Sequence, residues 1–322
     1  MALSNDTPYH DALTQIQRQA AFTMTTRLPI ADVALLSIAP LLWAGNAIVG
    51  HLVHAVVPPV LFNLMRWTIA FLILLPLAGS VFYPSSALWK SWRRFAVLGL
   101  LGVGVYNALQ YLALQTSTPI NVTLVTSSMP VWMLFIGWLF FKASVSARQV
   151  LGALISICGV LIVLCRGDWH QLLGLRLVAG DLLMILATIC WSVYSWLLTQ
   201  SNEPVSIRQD WAKFLIAQVG FGLVWSALSA TVEWQVSDAR IVWGWPLIAA
   251  LAYVATGPAI VAYHCWGAGV RRAGPNVAAF FNNLTPLFAA ILSSAFLHEM
   301  PHGFHVLAFV FIVTGIVLSS TR

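Results

Sequence analysis

PVLFNLMRWTIAFLILLPLAGSV, residues 59–81, contains one charged side chain, Arg66, in a run that is otherwise almost wholly apolar. The hydrocarbon layer of a bilayer is about 30 Å thick and a helix rises about 1.5 Å per residue, so a span takes roughly twenty such residues. Within lipid each backbone N–H and C=O must find its partner inside the protein, and a helix satisfies them all within one segment. The stretch is therefore predicted to cross a membrane as a helix.

The rest of the chain repeats the pattern. Further runs lie at 32–53, 95–114, 119–141, 149–165, 179–199, 212–231, 244–268, 276–297 and 303–320. Together they predict an all-α integral membrane protein of ten transmembrane segments, numbered first to tenth in chain order. Charged residues make up 8 % of the 322 residues and mean hydropathy is +0.85, whereas a soluble domain carries about a quarter charged residues. Residues 1–30 are polar and mixed, with no apolar run before position 29. They read as a cytoplasmic tail, not a cleavable signal peptide.

The basic residues test this layout, because Lys and Arg of short loops stay on the cytoplasmic side. With the N-terminus inside, that side collects Arg18, Arg27, Lys90, Arg93, Arg94, Lys142, Arg148, Arg208, Lys213, Arg271, Arg272 and Arg322. The other side receives only Arg166, Arg176 and Arg240. The expected location is the plasma membrane, a bacterial inner membrane, with both termini cytoplasmic. The calculated pI near 9.4 follows from these flanking charges, which are spread singly and in pairs and do not indicate a nucleic-acid partner. Cys158, Cys165, Cys190 and Cys265 have no CxxC spacing and read as small apolar packers. Trp89, Trp92, Trp169, Trp211, Trp234, Trp243 and Trp245 fall at predicted segment ends, where indole rings favour the headgroup layer.

The chain also repeats itself. Asp32, Trp43 and Asn46 correspond to Asp181, Trp191 and Tyr194; Asn121, Pro130 and Gly159 correspond to Asn276, Pro286 and Gly315, at separations near 150 residues. This divides the chain into a first repeat over 31–166 and a second over 167–322. An odd number of segments per repeat turns the second upside down relative to the first. Inverted repeats are an architecture of alternating-access transporters, in which two halves expose one central site to either side in turn.

Leu42-Trp43-Ala44-Gly45-Asn46, the opening of the second segment from Pro59 to Arg66, the Pro130 helix ending in Phe140-Phe141, and Gly152 through Gly159-Val160 resemble the EamA repeat of the drug/metabolite transporter superfamily. Asn276 through Pro286 to Leu297-His298-Glu299, then Gly315-Ile316, resembles its second copy. The first copy carries Lys142-Ala143 where the family often has an acidic residue, and Glu299 keeps it in the second. The resemblance implies a bundle in which the first, third, fourth, sixth, eighth and ninth segments surround a central cavity, with the second, fifth, seventh and tenth outside.

Polar side chains concentrate on those inner segments. Asn107, Gln110 and Tyr111 share one face of the third, as do Trp191, Tyr194 and Ser195 on the sixth. Tyr263 and His264 lie on the eighth, and Asn282, Asn283 and Thr285 precede Pro286 on the ninth. Trp43, Asn46, Asn107, Gln110, Tyr111, Trp191, Tyr194, Tyr263, His264 and Asn282 are the candidate substrate-binding residues. A packing role is equally available to amides and hydroxyls in membranes, and it is the preferred reading for Thr123 and Ser127. His264, with a free pKa near 6.5, could couple transport to protons or simply pack. Arg66 belongs to an expected outer helix and is read as an anchor that snorkels to the interface.

Absences narrow the function. No Asp or Glu falls in the middle of a segment and no Lys lies deep in an inner one, which disfavours cationic-drug and phosphate-bearing substrates. The chain has no HExxH, GxSxG or GxxxxGK[ST] motif and no clustered metal ligands, so neither an enzyme nor a cofactor is expected. The reading is a secondary transporter for a small neutral or zwitterionic metabolite, an amino acid or related compound, with export as the expected direction. A lipid-modifying membrane enzyme and a non-transporting receptor or assembly subunit are the alternatives. The expected partners are the solute and membrane lipid, and the apolar outer segments leave room for a homodimer.

Overall fold

A computed structural model describes residues 28–320 except 54, 118, 166, 169, 171–177, 237–239 and 298–302. The expected N-terminal tail lies almost entirely outside the described residues, as do Arg166, Trp169, Arg176, Glu299 and Arg322. The described residues are nearly all helical and include no strand. Eight helices among them are long and apolar enough to cross a membrane. They are the first (Ile30–Val53), second (Pro59–Ala78, extended by a 3-10 turn to Phe82), third (from Trp92), fifth (Ala147–Leu164), sixth (Ala179–Leu197), seventh (Trp211–Val236), eighth (from Trp245 to Ala273) and tenth (Gly303–Ser320).

The fourth and ninth segments differ from the continuous helices expected. Each is broken in two, as Pro119–Ser127 then Met129–Phe141, and Pro275–Phe281 then Leu284–Leu297. Pro130 and Pro286, singled out above as repeat markers, stand just beyond the breaks. Proline has no N–H to donate to the carbonyl four residues back and its ring collides with it. The third and eighth segments are interrupted differently, by π-helical turns at Leu100–Val105 and Ala255–Val261. These turns begin at 100 and 255, the same offset that relates the breaks, so each repeat carries one break and one π turn at corresponding places.

Packing places the repeats antiparallel. Gly152 of the fifth segment lies against the carbonyl of Gly315 on the tenth, and Gly159 against that of Ala308. Moving seven residues forward on one helix thus moves seven back on the other, so these helices run in opposite directions. The second and seventh segments behave alike: Glu233, near the end of the seventh, accepts from the backbone N–H of Val60 (3.0 Å) and Leu61 (2.7 Å) at the start of the second. Gly220, earlier on the seventh, meets Phe82 at the far end of the second. These two pairs of corresponding helices therefore run head to tail.

The repeats also interlock. The first segment packs on the eighth and ninth, and the sixth packs on the third and fourth. Each repeat thus lends its opening helix to the other. Large side chains such as Leu72, Leu77, Trp138, Phe140, Leu182 and Val224 are exposed on the outside, as a surface solvated by acyl chains requires. At one face, Arg94 pairs with Glu203 (2.6 Å), Arg272 with Asp32 (3.3 Å) and Lys213 with Asp210 (3.2 Å). Arg93, Lys142, Arg148 and Arg208 belong to the same end of the bundle by chain order, and it is called the basic face below.

Candidate functional site, a cavity between the repeats

Where the interlocked helices meet they leave a cavity of about 1480 Å³. Its wall comes from the first, third, fourth, sixth, eighth and ninth segments, together with Pro59 and Phe62 of the second. The second segment, expected outside, thus closes part of the wall. Among the described residues the lining contains no charged side chain.

The floor is aromatic. Trp43 meets Trp191 edge to face at 5.3 Å, Trp191 lies 5.5 Å from Tyr263 and 4.9 Å from Tyr106, and Trp43 lies 6.3 Å from Tyr263. Edge-to-face contact sets the positive rim of one ring against the negative face of the next. The two π turns hold this floor. Their wider winding leaves carbonyls without the usual helical partner, and Trp43 Nε1 donates to Pro258 O (3.3 Å) while the Tyr263 hydroxyl donates to Gly102 O. Gly102 and Pro258 lie in the corresponding π turns, so each repeat's π turn anchors an aromatic side chain of the other. Gly45, between Trp43 and Asn46, leaves room for Tyr253, whose hydroxyl donates to Leu42 O (3.3 Å).

From this floor the lining runs outward to Leu52, Val53, Val57 and Pro59 at the first-to-second connection, the end of the bundle away from the basic face. On the other side of the floor buried side chains hold one another in place. Trp266 Nε1 donates to Ser195 Oγ (3.1 Å), the Tyr194 hydroxyl to Gln218 Oε1 (3.0 Å), and Trp196 Nε1 to Met133 O (2.9 Å) while stacking on Phe141. Below these lies the Arg94–Glu203 pair, with Glu203 almost wholly buried. The cavity therefore reaches one face and is sealed from the other.

Of the candidate residues, Trp43, Asn46, Asn107, Gln110, Tyr111, Trp191, Tyr263 and Asn282 line the cavity. Tyr194 and His264 do not. Tyr194 sits beneath the floor, bonded to Gln218, and His264 packs beside Trp211 of the seventh segment at 4.8 Å between ring centres. His264 follows Tyr263 directly, and the turn of about 100° between neighbouring helical residues carries its ring away from the cavity and toward Trp211.

Arg66 departs most from expectation. It is 2 % exposed and does not snorkel. Its guanidinium donates through Nη1 to Asn46 Oδ1 (3.2 Å) and lies 5.0 Å from the centre of the Trp67 ring. The sequence signal that finds it is the stripe Asn63, Arg66, Trp67, Ala70, all buried, whose spacing of three and four marks an inward face. Tyr106, Tyr253, Asn283 and Thr285 also line the cavity, beyond the ten candidates. Several buried polar atoms of the wall lack a partner among the described residues: Trp191 Nε1 and the Tyr111 hydroxyl as donors, Asn283 Oδ1 and Thr285 Oγ1 as acceptors.

Known proteins agree with this architecture. The family model described as EamA-like transporter family matches residues 31–165 and 178–321. An uncharacterized transporter of Archaeoglobus fulgidus is 26 % identical over 296 residues, covering 89 % of this chain and 96 % of that protein. The uncharacterized transporter YyaM of Bacillus subtilis is 26 % identical over 239 residues, covering 73 % of this chain and 75 % of its own length. A solved crystal structure superposes with a TM-score of 0.70 at 22 % identity, over 90 % of this chain and 96 % of the other. That likeness concerns the fold.

Proposed function

The chain belongs to the EamA-like transporter family, and on that footing we propose that it is a secondary transporter of a small neutral or zwitterionic organic metabolite, an amino acid or related compound, working by alternating access. The observation that carries the reading is the cavity itself, walled by both repeats, reaching one face and sealed toward the basic one. By the positive-inside bias the basic face is cytoplasmic, which puts both termini inside and the open cavity outside, in the plasma membrane. An uncharged wall of aromatic rings and amides suits an organic solute with an apolar body and a few polar groups.

In this mechanism the solute settles on the floor of Trp43, Trp191 and Tyr263. The reverse state follows from the inverted symmetry: the contacts sealing the basic face open, and their counterparts on the other face form. Release on the basic side requires the Arg94–Glu203 and Arg272–Asp32 pairs to part, and the π turns on the third and eighth segments supply the places where helices can bend, as such turns do elsewhere. A solute drives this change only through its different affinity for the two states. The test is uptake of a metabolite panel into proteoliposomes by the wild type and Asn107→Ala. Saturable uptake that Asn107→Ala weakens is the expected result; binding with no flux would contradict the reading.

A further inference from the structure

The cavity wall carries no charge among the described residues, yet a full positive charge stands directly behind it. Arg66 is buried at membrane depth, where a charge is costly to hold. Among the described residues no carboxylate pairs with it, and its Nε has no hydrogen-bond partner. Among the described residues its guanidinium donates to Asn46, which lines the cavity.

That bond fixes the polarity of the site. A guanidinium has donors only, so the end of the Asn46 amide facing Arg66 must be the oxygen. The amide nitrogen is then the free end, and Asn46 offers N–H donors that Arg66 polarises. Hydrogen bonds aided by a charge are roughly twice as strong as neutral ones, and the field of an uncompensated cation reaches several ångströms through a low-dielectric wall.

We propose that Asn46, backed by Arg66, is the carboxylate-binding subsite of the cavity, and that the transported solutes carry a carboxylate beside an apolar or aromatic body. This rests on the transport reading and sharpens it: a zwitterionic amino acid satisfies the subsite, and a simple organic acid probes its carboxylate contact alone, whereas an amine or alcohol of the same shape does not. Arg66 acts as a positioning residue, since it touches Asn46 and not the solute.

The experiment compares flux into proteoliposomes of a panel in matched pairs, phenylalanine and phenylacetate against phenylethylamine, tryptophan against tryptamine, and aliphatic amino acids against their amines and alcohols. The wild type is expected to favour the carboxylate by at least about tenfold within a pair, and Asn46→Asp, which supplies Arg66 with an acid and the solute with a like charge, to lower that ratio by at least about tenfold. A structural defect would slow both members of a pair alike and leave the ratio unchanged. Should Asn46→Asp not fold, Arg66→Gln is expected to lower the same ratio. Equal wild-type flux of acid and amine, or an unchanged ratio in the variants, overturns the subsite. Flux confined to amines and alcohols overturns the subsite and leaves the transporter standing, whereas flux of no solute in any class overturns both.

Discussion

Gly152 and Gly315 meet backbone to backbone where the fifth and tenth segments cross. A methyl group on Gly315 would stand 2.6 Å from the Gly152 carbonyl oxygen, and one on Gly152 would stand 2.8 Å from that of Gly315. The contact joins the two repeats outside the cavity, and small residues let membrane helices approach this closely.

Gly315→Ala is therefore expected to destabilise the protein although alanine is the better helix former. The added methyl also comes within 2.7 Å of Ser156 Cβ, and overpacking of this kind costs about 1–3 kcal/mol. The thermal midpoint in detergent should fall. Gly50→Ala, where nothing lies within 4 Å, serves as the control and should leave it unchanged or raised. A Gly315→Ala midpoint at or above the wild type would contradict the packing described.

Trp191 tests the floor of the cavity. Trp191→Ala removes the ring that touches Trp43, Tyr106 and Tyr263, and truncating a buried tryptophan costs about 3–5 kcal/mol. Trp191→Phe keeps an aromatic face, with a smaller ring, and loses an N–H that has no partner among the described residues. Normalised to folded protein, flux should drop by about tenfold or more for the alanine variant and by far less for phenylalanine. Trp138→Ala, on the exposed outside, should transport normally. Equal flux for Trp191→Ala and wild type would remove the floor from the binding site.

Glu203→Gln should loosen the seal on the basic face. Removing one partner of a buried ion pair costs about 3–5 kcal/mol, while Arg94 keeps its bond to the Leu197 carbonyl (2.9 Å). In a chain whose four native cysteines are replaced, Ser195→Cys is buried beneath the floor, and its labelling by a membrane-impermeant thiol reagent from the basic side should quicken severalfold when Glu203→Gln is added. An unchanged labelling rate would show that the pair does not hold the seal.

Asp210 gives a pH dependence. Burial raises its pKa, but the bonds from the Lys213 and Ala212 backbone N–H groups and from the Lys213 ammonium outweigh it, so the net value lies below that of an ordinary aspartate. A lowered carboxyl pKa contributes stability that is fully present above the unfolded value, about 3.9, and is lost as the pH falls through the folded one. Asp210→Asn should thus be less stable than wild type at pH 7, and the gap should shrink in acid below pH 4. A gap that is absent at pH 7 or that widens in acid would reverse the sign.

How far the sequence could be read follows from what each signal encodes. Hydropathy marked the helices and their ends closely, because span length is set by the bilayer. Pro130 and Pro286 were visible as matched positions, but a proline two residues into a helix and one in its middle look alike in a string of letters, so the breaks before them appear only in the structure. Helical spacing tells which way a side chain points around the axis and not which end of the bundle is open. Trp191 and Tyr194 share a face for that reason, while one lines the cavity and the other lies below its floor. Arg66 sits on a helix that the sequence resemblance places outside, yet its own stripe with Asn63 and Trp67 points inward.

Counterflow in proteoliposomes tests the central claim most directly. Vesicles are loaded with an excess of the unlabelled solute that the uptake panel identifies, diluted into trace labelled solute, and followed in time. A carrier whose cavity faces one side at a time predicts a transient rise of label inside above its equilibrium level, diminished by Trp191→Ala. Label that binds the purified protein but never overshoots in the vesicles would contradict it.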